Sequence, residues 1–210
     1  RVMHGARVSL LVGAGSVALA ALIGVLLGIA SAMLTGWAGE AIMRTTDLFL
    51  ALPAVLIALA VAATIGPSIV NVIVIIGGIY WAQFARMTRG EALSIRERDY
   101  VQAAYAIGCG SSRILAQHIL PNLMNTVIVL ATLQFANAIL LESTLSFLGV
   151  GVPPPTPTWG IMAAEGRPYV ELAWWAVTFP GLAIMLLVLS INVLGDVLRD
   201  RLDPKFNRQA

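Results

Sequence analysis

Long uncharged apolar stretches broken by short polar intervals organise this chain. The first, Val8 to Leu34, contains no Asp, Glu, Lys or Arg, and a helix of that length crosses a hydrocarbon core of about 30 Å with room to tilt. A second runs from Leu48 to Ile65 between Asp47 and the turn Gly66-Pro67-Ser68, with Pro53 predicting a kink inside it. A third, from Ile69 to Ala85, carries Gly77-Gly78 and follows so short a turn that the two form a predicted hairpin. The fourth and fifth run from Leu123 to Leu145 and from Trp174 to Leu194, Trp174 and Trp175 being placed as interfacial anchors. The pattern predicts spans at 8–34, 48–65, 69–85, 123–145 and 174–194 within one transmembrane domain covering 1–210. Residues 149–168, rich in Gly and Pro, read as an ordered surface loop.

Composition agrees: 59% of the residues are hydrophobic and 11% charged, against roughly 25% charged in soluble domains. A soluble globular protein is excluded. Between the third and fourth spans, Arg86, Arg89, Glu91, Arg96, Glu97, Arg98, Asp99 and Arg113 break every possible crossing. An Arg or Asp near the bilayer centre costs about 2.5 to 3.5 kcal/mol, so residues 86–120 form a loop outside the lipid. Placing that loop in the cytoplasm puts ten of the thirteen basic residues inside and leaves Arg1, Arg7 and Arg167 outside. This positive-inside bias puts the carboxyl end in the cytoplasm and, with five spans, the amino end outside. An outside amino end with no signal peptide leads to the expectation that a further transmembrane helix precedes the chain. A net charge of +2 gives no reason to expect a nucleic-acid partner, and with one cysteine, Cys109, no disulfide framework within the chain is possible.

Within the loop, Asp99 and Gln102 have capping-box spacing and Gly108 is a natural stop, which predicts a helix from Tyr100 to Ile107. Its Tyr100, Ala103, Ala104 and Ile107 fall at i, i+3, i+4 and i+7, a single apolar stripe. The stripe meets either a partner protein or the chain's own helix ends. Ser111 or Ser112 then caps a second helix bearing Ile114, Leu115 and Ile119, which ends where Leu120-Pro121 leads into the fourth span.

Gln102-Ala103-Ala104, three residues, Gly108, nine residues and His118-Ile119-Leu120-Pro121 resemble the EAA loop of permease subunits of ATP-binding-cassette importers. Gln102 stands where the name-giving Glu is usual, and His118 where Ile is common. The small-residue face is kept, whereas a charge contact made by that Glu is absent. The resemblance extends along the chain. His4-Gly5-Ala6-Arg7-Val8-Ser9-Leu10-Leu11 and Asp47-Leu48-Phe49-Leu50-Ala51-Leu52-Pro53 look like the second- and third-helix entries of the dipeptide, oligopeptide and nickel permease branch. Glu142-Ser143-Thr144-Leu145-Ser146-Phe147-Leu148-Gly149, Pro153-Pro154-Pro155-Thr156-Pro157-Thr158-Trp159-Gly160, Asn192-Val193-Leu194-Gly195-Asp196 and Leu202-Asp203-Pro204 are similar to later stretches of it.

The resemblance implies an all-α, polytopic type I importer permease fold of six helices, five of them visible here. It implies a transport subunit and no enzyme: Tyr100, Gln102, Ala103, Ala104, Ile107, Gly108, Leu120 and Pro121 would engage one of two cytosolic ATPase subunits. ATP and Mg would act on those partners, and this chain would bind no cofactor or metal. A second permease chain, an extracytoplasmic substrate-binding protein and the lipid of a bacterial or archaeal inner membrane complete the implied partners. The sequence agrees independently, because a P-loop needs Gly-Lys-Ser/Thr and the sole lysine follows Pro204.

On a helical wheel Asn122, Asn125, Thr126, Gln134 and Asn137 share about half the circumference of the fourth span. They line a translocation path or hydrogen-bond neighbouring helices. Glu142, near the end of that span, reads as a hydrogen-bonded or interfacial carboxylate, with an ion or substrate site as the alternative. Gly24 and Gly28 form a GxxxG pair expected in helix packing. The substrate expected is a di- or oligopeptide, the alternatives being nickel or another small solute. An ATP-independent secondary transporter and an assembly subunit with no path of its own remain as readings of other classes.

Overall fold

The computed structural model describes residues 1–34 and 36–202, and the tail motif from Asp203, with Lys205 and Arg208, lies outside the described residues. All regular elements among the described residues are helical. Four helices are long and apolar enough to cross a membrane, and a bent pair of shorter ones makes a fifth if counted as one span.

Helix α1 (Val2–Met33) buries Ser9, Val12, Gly13, Ser16, Val17, Ala20, Gly24, Gly28 and Ser31 at three- and four-residue intervals, while Leu11, Leu22 and Leu26 stay exposed. Small residues inward and large ones outward reverse the pattern of a water-soluble helix. In lipid, large side chains lose nothing by facing out, and close backbone approach supplies the association energy. Helix α4 (Ile69–Arg96) fills that groove. A Cβ on Gly24 would lie 2.4 Å from the Trp81 carbonyl oxygen, and one on Gly28 2.7 Å from that of Ala85, so the GxxxG pair serves packing.

The expected kinked span 48–65 is two helices, α2 (Trp37–Ala51) and α3 (Ala54–Ile65), set 91° apart. Pro53 disfavours helical backbone at the residue before it, and Leu52 and Pro53 are both extended, with ψ of 140° and 119°. The chain turns a corner there. Alone, α3 is about 18 Å long, short of a full crossing. Helix α2 is fastened to the charged end of α4: Asp47 pairs with Arg86, and Arg89 donates to the Gly39 carbonyl at 2.8 Å.

Helix α4 runs eleven residues beyond Ala85, where the sequence reading begins a loop. Charges end a lipid crossing but not a helix, and no Pro lies between Ala85 and Arg96. After α4 come α5 (Asp99–Ala106) and α6 (Ser111–Ile114). A π-turn at Leu115–Ile119 then runs without a break into α7 (Leu120–Phe147). The sequence reading places a stop at Leu120-Pro121. Instead, Pro121 occupies the first turn of α7, where its missing N–H is tolerated, and the widened π-turn sits beside it.

Residues 149–168 are not a surface loop. They contain α8 (Trp159–Gly166), capped by Thr158 Oγ1 accepting from the Ile161 N–H at 3.3 Å. Val152, Trp159 and Ile161 are buried in the bundle. Gly and Pro here shape a re-entering segment whose apolar residues are too few and too spaced to give a periodic signal. Helix α9 (Trp175–Leu202) closes the fold against α7 and α8. Its outer face, including Phe179, Leu186, Leu189 and Val193, is exposed and apolar.

The apolar interior forms two main clusters. One, with Val72, Ile76, Phe84 and Leu145, fills the bundle. The other, with Ile95, Val101, Ala104, Ile114, Ile119 and Leu123, lies among the charged segments that follow the third span.

Candidate functional site

Two features converge at the charged end of α4: the short helix α5 and a cleft beside it. The expected capping box is absent. Arg98 takes the N-cap position without a side-chain cap, and Gln102 Nε2 donates back to the Arg96 carbonyl at 2.9 Å. That bond ties the start of α5 to the last turn of α4. The helix ends at Gly108, whose φ of +85° suits glycine. The Gly108 and Cys109 N–H groups donate to the carbonyls of Tyr105 and Ala104, both at 3.0 Å, forming a Schellman closure.

The predicted stripe on α5 divides. Ala104 turns inward beside Val101 onto Ile95, Ile114, Ile119 and Leu123, whereas Tyr100, Ala103 and Ile107 remain exposed, Ile107 at 81%. Val101 is the anchor that the reading of the sequence omitted. Its position, three before Ala104, is the available signal, since Val101, Ala104 and Tyr105 make a second apolar face. Tyr100 leans over His118, ring centroids 5.9 Å apart, and its hydroxyl accepts from Asn122 Nδ2 at 3.5 Å. Gln102, Gly108, Leu120 and Pro121 are also exposed.

The cleft, about 580 Å³, lies between α4, α7 and α9. Asn122, Asn125 and Thr126 line it. Opposite stand Glu91 and Arg98, an ion pair at 3.7 Å, together with Ser94, while Asp196 and Arg199 of α9 complete the rim. Gln134 and Asn137 do not line the cleft. Gln134 Nε2 donates to Gln83 Oε1, and Asn137 Nδ2 donates to Gln134 Oε1 at 3.2 Å. The five polar residues of α7 thus separate into a cleft group and an interhelical group. Gln83 escaped the sequence reading, although an uncharged amide within an apolar span is itself a signal.

Glu142 is fully buried, its carboxylate accepting from Ser146 Oγ at 2.8 Å, Ser9 Oγ at 3.3 Å and Ser143 Oγ at 3.4 Å. Ser9 belongs to α1, and its hydroxyl accepts from the Trp159 N–H at 3.5 Å, while the Val152 N–H donates to Ser146 Oγ at 3.3 Å. The carboxylate thereby joins α1, α7 and the 149–166 segment. Of the two sequence readings, the hydrogen-bonded one describes this geometry.

An all-helical bundle with small-residue helix packing, an apolar outer surface and a charged helical excursion defines a polytopic membrane protein. The comparisons with known proteins agree. Residues 24–208 match the family model of the binding-protein-dependent transport system inner membrane component, and the chain belongs to that family. The di/tripeptide transport system permease protein DppC of Pseudomonas aeruginosa is 46% identical over 210 residues, covering 100% of this chain and 69% of that one. A putative peptide transport system permease protein of Brucella abortus is 44% identical over 210 residues, covering 100% and 71%. In fold, the chain matches a structure of the MetNI methionine ABC transporter in an inward-facing conformation. The TM-score is 0.77 over 96% of this chain and 95% of that one, at 15% identity. The chain is therefore a multi-pass transport subunit of an ATP-binding-cassette importer, in which ATP hydrolysis falls to separate proteins.

Proposed function

We propose that this chain is one half of the membrane pathway of a di- or oligopeptide importer and that α5 is the element its ATPase partner grips. The observation that carries the substrate class is the 44% and 46% identity, over all 210 residues, to permeases named for peptide transport. The coupling role draws on the shape of α5. Tyr100, Ala103 and Ile107 present a small, mostly apolar knob to solvent, while Val101 and Ala104 seat it on a buried cluster that includes Ile95 of α4 and Leu123 of α7. A push on such a knob moves the ends of two spanning helices together, because packed apolar cores transmit displacement rather than absorb it.

In this reading a pair of ATPases closes on ATP with Mg and drives α5, a second permease chain supplies the other wall of the path, and a binding protein outside delivers the peptide. The cleft lined by Asn122, Asn125 and Thr126 is the cytoplasmic half of that path. Its mixed charges, Glu91 and Asp196 with Arg98 and Arg199, suit a substrate that carries an ammonium at one end and a carboxylate at the other.

The test is import of a labelled tripeptide into vesicles holding the full complex. Ala103→Arg places a bulky charge on the exposed face of α5 and disturbs no buried contact. It should cut ATP-dependent import at least tenfold and release the ATPases during purification, with the permease pair still inserted. Unchanged import and retained ATPases would contradict the assignment of α5.

A further inference from the structure

The stripes of residues that line the cleft lead toward the interhelical amides. On α4, Met87, Glu91 and Ser94 face the cleft at i, i+4 and i+7, with Arg98 just beyond the helix end, and Gln83 lies one turn further along the same stripe. On α7, Thr126, Leu130 and Leu133 face it at i, i+4 and i+7, and Asn137 falls at i+11. Gln134, 3% exposed, ties α7 to α4 at that level by donating to Gln83, and on its own helix accepts from Asn137. Tyr80 adds a second tie, its hydroxyl donating to the Asn137 carbonyl at 3.3 Å.

Three amides joined in a row by two hydrogen bonds leave an N–H donor free at one end and a carbonyl acceptor free at the other. Here these are Gln83 Nε2 and Asn137 Oδ1, which carry no hydrogen bond among the described residues. Gln83 is half-buried and Asn137 exposed. An exposed amide within an apolar span is costly against lipid and is expected to face a polar path or another protein.

We propose that Gln83, Gln134 and Asn137 form an amide latch that closes the path above the cleft and opens by exchanging its hydrogen bonds for bonds to the backbone of a passing peptide. The proposal rests on the peptide-importer reading and adds the chemistry by which the membrane subunit recognises its cargo. A side-chain amide and a peptide bond present the same donor and acceptor, so the exchange replaces like with like and leaves no polar group stranded. Recognition of this kind ignores cargo side chains. It suits a path that must pass peptides of many sequences and reject solutes lacking backbone amides.

The experiment uses the complete complex in proteoliposomes with binding protein present. Cargoes are tri-alanine and the same peptide N-methylated at the amide between its first and second residues, each supplied at concentrations that saturate the binding protein. Wild type should import tri-alanine roughly tenfold faster per ATP hydrolysed than the methylated analogue, the value of about one well-formed hydrogen bond. The paired substitutions Gln83→Met and Gln134→Met keep side-chain size without amides, and Asn137→Leu alters an exposed position. Both should slow tri-alanine to the rate of the analogue and abolish the difference, with binding-protein affinity unchanged. Variants that import both peptides at wild-type rates would overturn the latch. So would variants that lose the second permease on purification, since the amides would then belong to the subunit interface. A wild-type complex that imports no peptide would overturn the substrate assignment itself, and the latch with it. Peptide import without discrimination in any form would overturn the latch alone.

Discussion

At the residue scale, close approach decides more than hydrophobicity does. A Cβ on Gly24 of α1 would meet the Trp81 carbonyl and Phe84 Cβ at distances no side chain tolerates, while Gly90, within α4, has open space where its Cβ would be. Gly24→Leu should therefore force α1 from α4 and cost about 1–3 kcal/mol or more. Gly90→Ala should leave stability unchanged or raise it by up to about 1 kcal/mol through helix propensity. Thermal unfolding of the purified protein in detergent checks both, and equal melting temperatures would refute the packing account. The GxxxG pair could be read from the sequence because its spacing is diagnostic. Val101 and Gln83 were harder to read: the first hides among apolar neighbours, and the second matters only through Gln134, 51 residues away.

At the element scale, the long uninterrupted helices were legible and the joints were not. Periodicity and charge locate α1, α4, α7 and α9 because lipid imposes a length. No such rule says whether Pro53 bends a helix or ends it, or whether Pro121 stops one or begins one, since backbone geometry nearby settles both. The 149–166 segment was misjudged for a related reason: it is held by Glu142 through Ser9 and Ser146, contacts far apart in sequence. Glu142→Leu removes the shared acceptor, and each buried hydroxyl left without a partner costs about 1–3 kcal/mol. Limited proteolysis should then cut between residues 149 and 158 at least tenfold faster than in wild type. Glu142→Gln, which retains one carbonyl acceptor, should fall between the two. An unchanged cleavage rate in the Leu variant would show that the carboxylate does not hold this segment.

At the scale of the whole molecule, α5, the cleft and the amide row lie along α4 and α7. Helix α5 sits on the charged end of α4 and the first turn of α7, the cleft opens between them and α9, and Gln83 and Gln134 join them one turn beyond it. A displacement applied at α5 would therefore act on α4 and α7 together, the two helices that carry the amide row. The motif at Gln102-Ala103-Ala104 and Gly108 carries the resemblance to an importer's EAA loop in the sequence itself, because the spacing of small residues is local. The cleft was only half visible: Asn122, Asn125 and Thr126 share one helix face, but the opposing Glu91, Arg98, Asp196 and Arg199 come from other helices.

The central claim is that this chain works only inside an ATP-driven assembly. The most direct measurement is the composition of what it holds. The full-length protein, tagged at its carboxyl end and extracted gently from native membranes, should purify with one further permease chain and two ATPase subunits, resolved by native mass spectrometry. Ala103→Arg should remove the ATPases and leave the permease pair. Purification of the chain alone, under conditions that keep other membrane complexes intact, would contradict the account.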